Sequence, residues 1–303
     1  MIDSGRRALH TREALLAWVL MMPALGLLAV VAAGPLLATI WESFFSHDLR
    51  LPWLGRPFVG LGNYLEAASD PRFRQALLHT ASFTFASVAM ELVLGLLLAL
   101  VLDALLRFRG LSRVVVLLPW ALPTVVSALI WRLMFTNQAG PAAGVLSWIL
   151  PGSSELDWLA GSRSAWVPIL LAEVWKTTPF VALLLLAGLQ SIDRSLDEAA
   201  RLDGASAMRR FVHITLPLLR PAIVVALVFR TLDAFRVFDL VFVLTAGGPG
   251  TSTEVVSMYA FTSLLQNLRF GYGAALSVIV FAIGFTLALV YVRLLDAPVR
   301  AER

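Results

Sequence analysis

Residues 195–221 read Ser195-Leu-Asp-Glu-Ala-Ala-Arg-Leu-Asp-Gly-Ala-Ser-Ala-Met-Arg-Arg-Phe-Val-His-Ile-Thr-Leu-Pro-Leu-Leu-Arg-Pro221. This polar, basic, helix-prone stretch stands between two long apolar runs and has too few apolar residues for a core of its own. It nevertheless offers Ala199, Ala200, Ala205, Met208, Phe211 and Ile214 outside the membrane region. An apolar surface on a short loop between spans is a place for a partner. Ser195-x-x-Glu198 has the form of a capping box. Gly204 stands where a helix can end, Ser206 can start a second, and Pro217 and Pro221 mark the return to the membrane. The expected element is a helix–bend–helix at the membrane surface; an amphipathic helix resting on headgroups is the plainer alternative.

The flanking runs set the fold class. Hydrophobic residues make up 59% of the chain and charged residues 15%, against about 45–50% and about 25% in soluble domains. The mean hydropathy of +0.81 agrees. A spanning helix needs roughly 20 mostly apolar residues. Six segments qualify, at about 14–40, 77–102, 114–135, 166–189, 222–244 and 274–294. Pro119 and Pro123 break the third, and Pro168 and Pro179 the fourth. The expected fold is an all-α polytopic membrane protein with six transmembrane helices. A short tail, 1–13, precedes a single transmembrane domain, 14–303, whose long internal loop spans about 190–220. The first run is too long for a signal peptide and five more follow, so it is read as retained.

Arginine sets the orientation. Arg6, Arg7, Arg12, Arg107, Arg109, Arg113, Arg194, Arg201, Arg209, Arg210, Arg220, Arg293, Arg300 and Arg303 fall on one side. Arg50, Arg56, Arg72, Arg74, Arg163 and Arg269 fall on the other, with Arg132 near a helix end. The positive-inside rule places both termini and the 190–220 loop in the cytoplasm. The net charge of +4 is therefore topological and does not indicate nucleic acid. The outer loops 42–76, 136–165 and 245–273 carry turn residues and aromatics, including Gly140-Pro141, Pro151-Gly152, Trp148 and Trp158. They can pack on the helices or receive a soluble partner.

Several chemistries find no support. The chain has no cysteine, which excludes disulfides and thiolate metal sites. His10, His47, His79 and His213 lack metal-ligand spacing. The only lysine, Lys176, follows Leu171-Ala172-Glu173-Val174-Trp175, without the glycines of a phosphate-binding loop. No cofactor is expected on this chain, and any ATP and magnesium would belong to a separate subunit. No Ser/His, paired-Asp or HExxH arrangement points to an intramembrane enzyme.

Ionisable groups within spans are costly and face a cavity or a partner. Glu91 lies in the second span, and Glu173 and Lys176 lie three apart on the fourth. Arg230, Asp233, Arg236 and Asp239 recur every third residue on the expected fifth helix, where alternating sign allows pairing. They either lock helices together or line a solute path. Trp120, Trp131, Trp175, Phe235 and Phe238 add flat apolar faces nearby. Hydrogen-bonding groups beside aromatic faces suit a sugar. Arg230 and Arg236 are matched by Asp233 and Asp239, which favours a neutral solute over a phosphate. A proton- or sodium-coupled carrier using Glu91, Glu173 and Asp239 would leave the 195–217 loop unexplained.

The order Glu198-Ala199-Ala200, Asp203-Gly204-Ala205 and Leu216-Pro217 resembles the EAA loop of binding-protein-dependent ABC importers. Trp175-Lys176-Thr177-Thr178-Pro179-Phe180 and Leu186-Ala187-Gly188-Leu189 resemble carbohydrate-type permeases of that family. So do Phe238-Asp239, Leu244-Thr245, Gly247-Gly248-Pro249, Thr253-Glu254 and Phe270-Gly271-Tyr272-Gly273-Ala274-Ala275. The resemblance covers about residues 60–295. The runs 172–179 and 229–239 are most similar to the trehalose/maltose branch. It implies a multi-pass subunit of the bacterial plasma membrane that carries a di- or oligosaccharide inward. It also implies a second permease, two ATPase subunits and an extracytoplasmic solute-binding protein as partners. In that family Glu198, Ala199, Ala200, Asp203, Gly204, Ala205, Met208 and Phe211 dock the ATPase, Glu198 meeting a basic residue there or only capping its helix.

Overall fold

The computed structural model describes residues 16–104, 109–136, 140–141, 144–145, 148 and 157–301. The expected tail 1–13, the start of the first span at Ala14, Arg107, Arg303 and the Pro151-Gly152 turn lie outside the described residues. The described chain is helical, with only isolated β-bridges at Phe45–Phe58 and Asp48–Arg269. Among the described residues five helices are long and apolar enough to span a bilayer, or six if one bent pair counts as a single span.

The chain divides into two compact units, residues 1–69 with 260–279, and residues 70–259 with 280–303. In the first unit, α1 (Leu16–Glu42) buries none of its most apolar stretch. Its Leu20, Met22, Val30 and Val31 side chains suit lipid or another subunit rather than water. Beyond it, α2 (Gly62–Ser69) is tied back by Asn63, whose Nδ2 donates to the carbonyls of Ser43 and Phe45 at 2.8 and 2.9 Å. Arg269 meets Glu66 at 2.7 Å.

The second unit is built on α3 (Pro71–Ala104), 34 residues long and so about 51 Å at 1.5 Å per residue. That exceeds the ~30 Å hydrocarbon layer, so the helix extends beyond it. α4 (Arg109–Ala121) and α5 (Thr124–Phe135) meet at 83°. The break falls at Pro123, the N-cap of α5, because the residue before a proline is pushed out of the helical region. α6 (Trp166–Gln190) differs from expectation by running unbroken through Pro179. Pro168 sits in its first turn, where a missing N–H leaves no bond unmade. α7 (Arg194–Leu202) leads to α8, continuous from Ala207 to Phe235. The helical chain stops there, and a separate α9 covers Asp239–Leu244. The expected fifth helix at 222–244 is thereby corrected at both ends. α10 runs Phe270–Ala301.

Helices in lipid gain little from apolar burial against one another and associate through close packing of small residues. Gly95 of α3 faces α6 so closely that a Cβ would lie 2.6 Å from Val181 Cγ1. At Gly188 of α6 a Cβ would lie 2.5 Å from Ala222 of α8. These two contacts draw α3, α6 and α8 together around Ala99, Val181, Leu185, Leu219 and Ala226. Phe83, Ile169, Ala172, Leu240, Leu244 and Val255 form a second packed cluster.

Candidate functional site: a docking loop and a polar cavity on one continuous helix

The loop between α6 and α8 is built from its caps. Asp193 caps α7 by accepting a hydrogen bond from the Ser195 N–H at 2.9 Å. That backbone bond holds the Asp193 carboxyl below the usual range. The expected capping box at Ser195 and Glu198 is therefore corrected. The helix starts at Arg194, and Asp193 supplies the acceptor two residues before Ser195. At the other end the Ala205 N–H bonds the Ala200 carbonyl at 2.9 Å and the Gly204 N–H bonds that of Arg201 at 3.0 Å. This is a Schellman motif, and it places Gly204 at φ +76°, where a side chain is disfavoured. Ser206 then accepts from the Arg209 N–H at 3.4 Å and starts the second helix, as expected.

Arg210, which the sequence reading did not single out, fastens the two arms. Its Nε donates to Asp197 at 2.6 Å and its Nη1 to the Ala205 carbonyl at 2.8 Å. The guanidinium holds the Asp197 carboxyl below its ordinary range. Its thirteen-residue separation from Asp197 crosses a bend, so helix periodicity could not pair them. The outer surface of the loop is apolar at Met208 (72% exposed) and at Leu202 (90% exposed), the latter also missed. Glu198, Ala199, Asp203 and Gly204 are exposed as well, while Ala200, Ala205 and Phe211 are half-buried. Behind the loop lies a cavity of about 770 Å³ lined by Asp103, Arg113, Asp193, Asp197, Glu198 and Ile214, among others.

The intramembrane charges gather at the far end of α8. Arg230 is 2% exposed, Glu91 0% and Glu173 6%. Arg230 Nε and Nη2 donate to the two Glu91 oxygens at 2.6 and 3.0 Å. Nη2 also reaches Glu173 at 2.7 Å, and Nη1 reaches Asp233 at 2.5 Å. One guanidinium thus joins α3, α6 and α8. A fork of five fixed N–H groups permits this, where a lysine's point charge would not. Removing one partner of such a buried set costs about 3–5 kcal/mol, because charge is left unpaired.

Beside this cluster is a cavity of about 220 Å³. Thr124, Glu173, Lys176, Asp233, Arg236, Phe238 and Asp239 line it, with Thr177, Val237 and Leu240. Lys176 Nζ donates to Thr124 Oγ1 at 2.9 Å, at the first residue after the α4–α5 break. Arg236 meets Asp233 at 3.5 Å. The four charges expected on one helix face are instead divided. α8 ends at Phe235 with a tight turn from the Val237 N–H to the Ala234 carbonyl, and Asp239 opens α9. Irregular backbone at membrane depth is tolerated where it lines a cavity.

The structure thus brings Glu173, Lys176, Asp233, Arg236 and Asp239 to one cavity and sets Glu91 and Arg230 behind it. Trp175 packs edge-on against Trp131 and does not line the cavity. Phe235 lines a separate apolar crevice of about 650 Å³ with Thr84, Thr231 and Tyr291. Thr124 was missed in sequence; the Pro123-Thr124 pair at the span break was its signal.

Long apolar helices, broken elements around a polar intramembrane cavity and a capped loop with an apolar outer face define a polytopic transport subunit. The chain belongs to the family of binding-protein-dependent transport system inner membrane components, whose pattern matches residues 91–301. It is 44% identical to the trehalose/maltose transport system permease protein MalF of Thermococcus litoralis, over 94% of this chain and 95% of that one. It is 40% identical to the sulfoquinovosyl glycerol transport system permease protein SmoG of Agrobacterium fabrum, over 95% and 93%. It is 41% identical to the trehalose transport system permease protein SugA of Mycobacterium tuberculosis, over 97% and 92%. Its fold is similar to a chain of a bacterial ABC transporter that imports the acidic polysaccharide alginate. The TM-score is 0.80 at 21% identity, covering 96% of this chain and 99% of that chain. The protein is a multi-pass inner-membrane permease component of an ABC transporter.

Proposed function

We propose that this permease carries a neutral disaccharide such as trehalose or maltose into the cell and performs no covalent chemistry. Support comes from the relatives named for trehalose and maltose transport and from the lining of the 220 Å³ cavity. In that lining the carboxylates of Glu173, Asp233 and Asp239 outnumber by one the cations of Lys176 and Arg236. A lining with that excess repels a sulfonate or phosphate and leaves donors and acceptors for sugar hydroxyls. In this reading Glu173, Lys176, Asp233, Arg236 and Asp239 form one wall, and a second permease supplies the facing wall.

The termini and the 190–220 loop face the cytoplasm, in keeping with the arginine distribution. Glu198, Ala199, Ala200, Asp203, Gly204, Ala205, Met208 and Phe211, with Leu202, dock one of two ATPase subunits, which bind ATP and magnesium. The fold is shared with a bacterial alginate ABC transporter in complex with an alginate pentasaccharide-bound periplasmic protein, and in this reading a solute-binding protein serves this chain in the same way. ATP-driven closure moves the loop, and α8, continuous from Ala207 to Phe235, carries that movement to the cavity.

The test is uptake of labelled trehalose, maltose and sulfoquinovosyl glycerol by proteoliposomes holding the assembled complex with its ATPase and binding protein. ATP-dependent accumulation of a neutral disaccharide is expected. Uptake of the anionic glycoside alone, or uptake driven by an ion gradient without ATP, overturns the proposal.

A further inference from the structure

Two of the carboxylates at the cavity are not free to choose their positions. Glu173 and Asp233 line it, yet each also accepts a hydrogen bond from Arg230. The Asp233 side chain is 53% exposed and that of Arg230 only 3%, so Asp233 reaches from the cavity back into the protein to meet its partner. Arg230 is held from behind by Glu91, which is completely buried on α3 and takes two of its N–H groups. Glu91 and Arg230 are absent from the cavity lining. A buried charge cluster that only joined helices could place all of its members away from the cavity. Here two members of the set face inward to the guanidinium and outward to the cavity at once.

We propose that Arg230 is a positioning residue for solute recognition, pinned by Glu91, and that its planar fork sets the Glu173 and Asp233 carboxylates at the cavity wall. The inference rests on the reading of this cavity as the solute site. Nε and Nη2 are occupied by Glu91, which fixes the guanidinium plane. With that plane fixed, Nη2 and Nη1 point to Glu173 on α6 and Asp233 on α8. The two carboxylates keep their remaining acceptor capacity for hydroxyl groups. A lysine at 230 would retain the charge and lose the plane. A glutamine at 91 would retain the shape and lose one acceptor and the charge. Because α8 begins in the docking loop, the fork also links the recognising carboxylates to the helix that the loop moves.

The experiment uses the assembled complex in proteoliposomes with its ATPase and binding protein. It reads the amount of assembled complex and, per assembled complex, the trehalose taken up for each ATP hydrolysed. Arg230→Ala would leave two buried carboxylates unpaired and fail to fold, so Arg230→Lys and Glu91→Gln are the variants of choice. Both are expected to lower uptake per ATP about tenfold, the size of coupling seen between contacting residues. A wild-type ratio in either variant overturns the positioning role. So does a smaller amount of complex whose remaining fraction keeps the wild-type ratio, the signature of a purely structural cluster. Lys176→Gln, which alters the lining without touching Arg230, separates the two readings. An unchanged ratio in that variant refutes the cavity as the solute site, whereas a lowered ratio there beside normal Glu91→Gln refutes only the positioning role.

Discussion

Replacing Gly204 isolates the backbone geometry of the loop between α6 and α8, the proposed ATPase dock. Its φ of +76° lies in the left-handed region, and no heavy atom lies within 4 Å of the position a Cβ would take. Gly204→Ala therefore adds no clash within the subunit, and its whole cost is conformational, about 1–2 kcal/mol. Asparagine tolerates the same region better, so Gly204→Asn is expected to cost less despite its larger side chain. The strain opposes the Schellman turn, whose two hydrogen bonds set the angle between α7 and the Ser206-capped helix. A change of about 1.4 kcal/mol is tenfold in binding. The ATPase subunit should thus bind Gly204→Ala complexes several-fold more weakly in a titration with detergent-solubilised permease, and Gly204→Asn should recover most of the loss. Thermal stability of the transmembrane part should not change, because the loop contributes no buried residue between Arg194 and Arg210. If Gly204→Asn binds worse than Gly204→Ala, a partner atom occupies the open space and the conformational explanation is wrong. Unaltered binding in both variants would remove the turn from the docking geometry.

At the helix crossing, Gly95→Ala would bring a Cβ within 2.6 Å of Val181 Cγ1 and 3.3 Å of the Ala182 backbone nitrogen. Overpacking of this kind costs about 1–3 kcal/mol; the complex should melt lower, and Val181→Ala in the same chain should restore much of the loss. Topology can be read from single cysteines, since the chain has none of its own. A membrane-impermeant thiol reagent should label Trp53→Cys in intact cells and leave Arg209→Cys unlabelled, and the reverse pattern would invert the orientation.

Much of this protein is legible residue by residue along the chain. Apolar length alone located the spans, since crossing about 30 Å of hydrocarbon requires a continuous run wherever the helix packs. Gly204, Ser206 and the break near Pro123 were equally readable, because positive φ, capping and the proline clash act within a few residues. The same local rules misplaced the first cap, where Asp193 and Ser195 are both acceptable and lie two residues apart. They also extended the fifth helix through Arg236, because the apolar run continues past the end of α8 at Phe235.

Tertiary structure alone decided which charges meet across helices. Glu91 and Arg230 are 139 residues apart, and Glu173 and Arg230 are 57 apart. An alternating pattern on one helix permits pairing within that helix, and Arg230 does bond Asp233 in this way. The stronger demand comes from Glu91, which burial on α3 leaves with no water to solvate it and which must therefore find a cation on a neighbouring helix. Which cation it finds depends on how α3, α6 and α8 rotate about their axes, and close contacts at Gly95 and Gly188 set that rotation. Hydropathy and turn chemistry sum over neighbours in sequence, whereas ion pairing in a low-dielectric interior is settled by faces that only packing brings together.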